Sequence, residues 1–312
     1  MRGSSWLWGL CGGALLCGCG DDGDTSTGGQ MMYTTHGSVS DGLSQVGDII
    51  AAPGDGVFGV QSGTGVGQIR DGWTVEYQKV LVSLGSVTLS TAGASDVEIV
   101  ADYVIDLQSL PTSGALLDHA DGRPRPSSIG FTLTQADPDR VRPLSPFTLE
   151  QDAALMAKNG YAVYVEGTIE KADGRSCRPE APADCAPAPS VKFRWGLPNG
   201  VAYDDCVWTD PAAASQSVRL AFPAVTWLQT SIGAERPTLR AQWIADADLD
   251  RDGETTLAEL QQIDATTLLT RRRGYDLAGA AGPVATVHDF LREQVRAMAV
   301  RSWGECGTIR DL

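Results

Sequence analysis

The sharpest chemical pattern lies late in the chain, in Asp248-Leu-Asp-Arg-Asp-Gly-Glu-Thr-Thr-Leu-Ala-Glu259. Carboxylates recur at the first, third and fifth positions of this run, in Asp248, Asp250 and Asp252. Gly253 follows at the sixth, and Glu259 stands at the twelfth. A hard cation of calcium's size takes about six to eight oxygens, and this spacing delivers them from one tight loop. Glu254 would add its backbone carbonyl. Thr256 would ligate directly or through water, and Glu259 would close the site with both carboxylate oxygens from the first turn of an exit helix. The pattern predicts an EF-hand-like loop with Asp248, Asp250, Asp252, Glu254, Thr256 and Glu259 as ligands and Ca2+ as the cofactor. Thr255 departs from it, because the eighth position is usually aliphatic and pairs with a second loop. The sequence holds no second loop, so a structural clip is expected rather than a sensor, with a Kd on the order of 10⁻⁴–10⁻³ M.

Catalytic residue types are sparse. The chain has three histidines, His36, His119 and His288. His36 lies near Ser38, Ser40 and Asp41, but no Gly-x-Ser-x-Gly elbow surrounds them. His119 reads as a turn residue and His288 as an exposed residue of a last helix. No His-x-His or His-x-x-x-His spacing occurs, which argues against a catalytic zinc or copper centre. Gly63-Thr-Gly-Val-Gly67 echoes a phosphate loop but lacks the following Lys-Ser/Thr, so it reads as a plain Gly-rich loop. No catalytic residue is assigned and no enzyme is expected. An exported hydrolase using Ser38 and His36 is the enzymatic alternative.

The cysteines divide by position. Leu16-Cys-Gly-Cys19 has an aliphatic residue three before Cys19 and a glycine immediately before it, the form of a bacterial lipobox. Arg2 supplies a positive n-region, and Trp6 to Leu16 form an apolar run too short to span a bilayer. The expectation is a lipoprotein signal peptide over 1–18, lipid on Cys19, and a flexible acidic tether over 19–32. That places the chain at the cell envelope with its lipid in a membrane, most readily the outer membrane. Loss of Arg2 takes the net charge from −15 to −16, which argues against nucleic acid as a partner. Cys177, Cys185, Cys206 and Cys306 remain, an even set that predicts two disulfides in an exported chain. Of three pairings, Cys177–Cys185 closing a Pro-rich loop and Cys206–Cys306 tying back the C-terminus are favoured. A zinc site is disfavoured because no Cys-x-x-Cys pair occurs.

These groups need a scaffold. Residues 30–72 are rich in Gly, Ser, Asp and Thr and read as irregular loop with short edge strands. From Trp73 the apolar residues alternate, and their parity changes after Tyr77, which predicts a bulge near Lys79. Val97 to Leu107, Ile129 to Leu133, Tyr161 to Lys171, Val191 to Trp195 and Ser217 to Leu228 read as further strands. A helix opens at a capping box on Thr148 and stops at Gly160. Beyond Pro237 the pattern turns helical: Leu239 with Trp243, then Leu257, Leu260 and Ile263, then a basic helix end at Arg271 to Arg273. A last helix runs from a capping box at Thr286 to Gly304. The fold class expected is mainly β with a C-terminal helical appendage, α+β overall. The β-sandwich-like domain covers 33–235, and the helical region with the calcium loop covers 236–312.

As a combination, four stretches resemble a family of uncharacterised lipoproteins from Gram-negative bacteria: Asp71 to Gly85, Asn159 to Lys171, Phe193 to Gly196 leading to Cys206, and Ile244 to Leu260. The resemblance implies a non-enzymatic envelope protein of binding or structural type, with an accessory role in metal or nutrient uptake as the alternative. Histidines that relatives often carry between the last strand and the calcium loop, and near the last cysteine, are absent here. Those places read Ala221 to Trp227 and Ser302 to Cys306, so a transition-metal role is not implied for this chain.

Overall fold

The computed structural model describes residues 45–93, 95–124, 126–207, 218–234, 237–298 and 306–312. The lipobox, Cys19, the tether, His36 and Ser38 lie outside them. The strands are β1 (Gln45–Pro53), β2 (Thr74–Ser90), β3 (Val97–Asp106), β4 (Ala115–Pro124), β5 (Ser128–Leu133), β6 (Arg142–Pro143) and β7 (Val163–Glu170). They continue as β8 (Arg175–Cys177), β9 (Cys185–Pro187), β10 (Ser190–Leu197), β11 (Val201–Val207), β12 (Val218–Phe222), β13 (Glu254–Thr256) and β14 (Cys306–Asp311). The α-helices are α1 (Glu150–Asn159), α2 (Gln242–Ala247), α3 (Leu257–Leu260) and α4 (Val287–Arg296). The chain is mainly β with a few short helices.

Strand β2 organises the large sheet. Its first half pairs with β7 and its second half with β5, while β3 lies along its other edge. The sheet therefore forks at Ser83, whose N–H donates to Ala162 on one branch and whose carbonyl accepts from Thr134 on the other. The register shifts between Tyr77 and Lys79, where the parity change in the sequence placed a bulge. A second shift at Gly85 explains why Leu84 and Val87 share a burial state across an odd step. The path of the sheet is β13-β10-β7-β2-β5-β11-β14.

A three-stranded sheet, β12-β1-β4, packs across the same core. Phe222 of β12 meets Phe131 of β5 edge-on at 6.0 Å, and the Tyr77 hydroxyl donates to the Ala224 carbonyl at 2.8 Å. Trp73, Trp195, Trp227, Trp243 and Phe290 are fully buried in that core. Burying one aliphatic or Phe side chain is worth about 1.5–3 kcal/mol. Helix α1 covers the opposite face of β2, with Ala153 and Met156 against Leu81, Val104 and Tyr164.

Several expectations are corrected. Strand β1 is the central strand of the small sheet, where irregular loop was expected. His119 lies on β4 beside Asp48, not in a turn. Thr148 caps no helix: its hydroxyl accepts from the Asp106 N–H at 2.9 Å, and α1 starts one residue later from Leu149, which is exposed. Leu239 bridges to Ile69 and Gln229 rather than joining α2. Helix α4 does form its capping box, Thr286 with Asp289, but ends at Arg296. The stretch 236–312 is more than a helical appendage, because β13 and β14 close the two ends of the large sheet's path. Both expected disulfides form, Cys177–Cys185 between β8 and β9 and Cys206–Cys306 between β11 and β14. No helix among the described residues is long and apolar enough to cross a membrane.

Candidate metal site

Helix α2 delivers the chain to the loop. Its first two amides, on Ala241 and Gln242, are capped at 3.0 and 2.9 Å by one carboxylate oxygen of Asp71, from 170 residues away. The helix ends at Asp248. From there the loop turns through two left-handed residues, Arg251 (φ 63°) and Gly253 (φ 87°). Gly253 adopts that conformation without a Cβ clash, which is what the sixth loop position requires.

Asp248, Asp250 and Asp252 each place a carboxylate oxygen so that all three lie within 4.8 Å of one another. Among the described residues this is the one gathering of three or more His, Cys, Asp or Glu side chains with that property. Each carboxylate also shapes the loop. Asp248 Oδ2 accepts from Gly253 N at 3.0 Å, Asp250 Oδ1 from Asp252 N at 3.2 Å, and Asp252 Oδ1 from Glu254 N at 2.8 Å. Asp248 is only 3% exposed, and its Oδ1 is buried with no hydrogen-bond partner. Burial pushes its carboxyl up from the ordinary value, and the nearby charges of Glu259 and Asp252 push the same way, against hydrogen bonds from the Gly253 and Arg251 backbone. A buried carboxylate oxygen without a donor, set among other carboxylates, has the chemistry of a divalent-cation ligand.

The other three expected ligands are close in the chain but busier. Glu259 sits in the first turn of α3. Its Oε1 accepts from Leu249 N and its Oε2 from Thr256 N, each at 2.8 Å. The Thr256 hydroxyl donates to that same Oε2, so both residues serve a capping box that clamps the loop's two ends together. Oε1, with a single donor, keeps a lone pair for a cation, while Oε2 already accepts two bonds. The Glu254 side chain pairs with Arg194, which leaves its carbonyl as the ligand expected of it.

Thr255 now has a physical reason. Strand β13 runs parallel to β10, with Phe193 beside Thr255, and Lys192 N donates to Gly253 O at 2.9 Å. The sheet edge thus supplies the backbone pairing that a second loop would give. Thr255 is fully buried, and its hydroxyl donates to Ile244 O on α2 at 2.6 Å, where an aliphatic residue would leave that carbonyl without this bond.

Sequence reasoning missed the hub behind the loop. Asp246 is fully buried and accepts from Cys177 N at 2.9 Å, from Gln242 Nε2 at 3.1 Å and from the Arg273 guanidinium. Two residues of the basic run are therefore not a solvated helix end. Arg273 pairs with Asp246, and Arg272 donates to the carbonyls of Cys177 and Arg178. The only signal was Asp246 itself, an acidic residue two positions ahead of the first ligand. Elsewhere, a cleft of about 550 Å³ opens at the sheet fork, between Gly85, Ser86, Thr132 and Thr134 on the floor and the Asp102–Arg140 ion pair on the wall. None of the residues expected to do chemistry lines it.

The chain matches no family model, no curated protein and no solved structure.

Proposed function

We propose that this chain is a lipid-anchored envelope protein of binding or structural type, and that one Ca2+ in the Asp248–Glu259 loop fastens its last quarter to the β body. One observation carries the metal: the buried, unpartnered Oδ1 of Asp248 beside the carboxylates of Asp250 and Asp252. A cation there would balance these carboxylates, since the loop's one basic side chain, Arg251, is engaged outside it by Asp184. The residues that would hold it are Asp248, Asp250, Asp252, the Glu254 carbonyl, Thr256 and Glu259. The envelope part rests on the Leu16-Cys-Gly-Cys19 motif and on the two disulfides, which suit an oxidising compartment.

The metal is tested on EDTA-treated full-length protein. Added Ca2+ raises the melting temperature, and Asp248→Asn removes that response while Mg2+ at the same concentration gives a smaller one. A melting temperature indifferent to Ca2+ refutes the metal. The anchor is tested by detergent phase partition of the protein expressed in a Gram-negative host. Partition into the detergent phase is expected, and its persistence in Cys19→Ala refutes the lipid on Cys19.

A further inference from the structure

The loop is gripped from outside by the Cys177–Cys185 hairpin, and the grip falls at two points. On the entry side, Cys177 N donates to Asp246 Oδ1 at 2.9 Å, two residues before the first expected ligand. Inside the loop, the Arg251 guanidinium donates to both the carbonyl and the Oδ1 of Asp184, each at 2.8 Å. Arg178 holds the other Asp184 oxygen at 3.2 Å, so Asp184 is fixed within its own hairpin. Asp184 immediately precedes Cys185, whose disulfide closes a hairpin of eight-residue separation.

Arg251 is the point of interest. It lies between Asp250 and Asp252 and holds a left-handed backbone that residues with a Cβ seldom adopt. Such a conformation persists where surrounding contacts over-determine it. Its side chain reaches out of the loop to the hairpin, so the bond to Asp184 holds the turn that sets Asp250 and Asp252 side by side.

Resting on the calcium reading above, we infer that Asp184, Arg251 and the Cys177–Cys185 disulfide are positioning residues for the metal: the hairpin is a clamp that preorganises the loop and raises its affinity for Ca2+. Preorganisation lowers the ordering cost of binding without adding a ligand. The Arg251–Asp184 pair is partly exposed, with side-chain accessibilities of 27% and 48%, which bounds its own effect.

The test is a Ca2+ titration of the melting temperature on the full-length chain, for wild type, Asp184→Ala, Arg251→Ala, their double variant, and Cys177→Ser/Cys185→Ser. Asp184→Ala is expected to raise the Ca2+ midpoint about two- to five-fold. The double variant should match the single ones, because each breaks the same contact. Opening the disulfide should raise the midpoint by about ten-fold. Melting in EDTA should be nearly unchanged for Asp184→Ala, a result that a merely structural role would not give. Asp184→Ala carries the inference even if the cysteine variant fails to fold. An unchanged midpoint in Asp184→Ala and Arg251→Ala, with wild type responding to Ca2+, overturns the clamp alone. A wild type that does not respond overturns the site and the clamp with it.

Discussion

The two ends of the large sheet are closed by neighbouring pieces of the same C-terminal stretch, in opposite ways. At one end β14 pairs with β11, and the Cys206–Cys306 disulfide joins residues that are already register partners. The Tyr203 hydroxyl adds a bond to the Val295 carbonyl at 2.6 Å, and Arg296 pairs with Asp311. At the other end β13 contributes three residues beside β10, and nothing covalent crosses that ladder. Its fastening comes from side chains around a carboxylate-rich loop: Glu259 across the loop's ends, Asp246 with Arg273, and Arg251 with Asp184. One end is held by a bond indifferent to ions and pH over the ordinary range. The other is held by charges whose balance a bound cation would change. An edge strand so short cannot protect a sheet by its own hydrogen bonds, so the two ends show two separate solutions to one problem.

The comparison can be broken at either end. The largest effect is expected from Cys206→Ser/Cys306→Ser. The bond closes a separation of 100 residues, and losing it should cost about 4 kcal/mol of stability by chemical denaturation. That loss should be the same in Ca2+ and in EDTA, and a calcium-dependent loss would erase the distinction between the ends. Next comes Asp246→Ala, which strands the Arg273 guanidinium and the Cys177 amide. It should cost about 3 kcal/mol, measured the same way, and an effect below 1 kcal/mol would remove Asp246 as the hub of the β13 end.

A smaller effect is expected from Asp248→Asn. Wild type at ten times its Kd should gain about 1.4 kcal/mol from Ca2+, and the variant should gain none. The smallest concerns His288 on α4, on the β14 side. Burial lowers its pKa from 6.5, so the folded protein prefers it neutral while the unfolded chain takes up the proton first. Stability is therefore full above the unfolded value and declines as pH falls through 6.5. His288→Gln should flatten the melting temperature between pH 7 and pH 5 by a degree or so at most, since the side chain is only half-buried. A steeper acid dependence in the variant would reverse the assignment.

Features with local causes are legible in the amino-acid sequence alone. The carboxylate spacing from Asp248 to Glu259, the capping box at Thr286 and the parity break after Tyr77 each express themselves within a dozen residues. The two cysteine pairs are legible because one closes a short loop and leaves a single partner for the other. Strands β13 and β14 are not, since a three-residue strand has no period to read and β14 is polar and mostly exposed. The capping box expected at Thr148 fails for a related reason. Its hydroxyl has a long-range donor in Asp106 N, which no local pattern announces.

By itself, the sequence determined a loop able to gather Asp248, Asp250 and Asp252, because neighbours on a tight turn are brought together by backbone geometry alone. Only the tertiary structure decided what that loop is attached to. Asp71 caps α2 from far upstream, β10 pairs with β13, and Asp184 holds Arg251. Those contacts depend on which surfaces meet when the shared core buries its tryptophans, and hydrophobic burial specifies that meeting without leaving a motif in the chain.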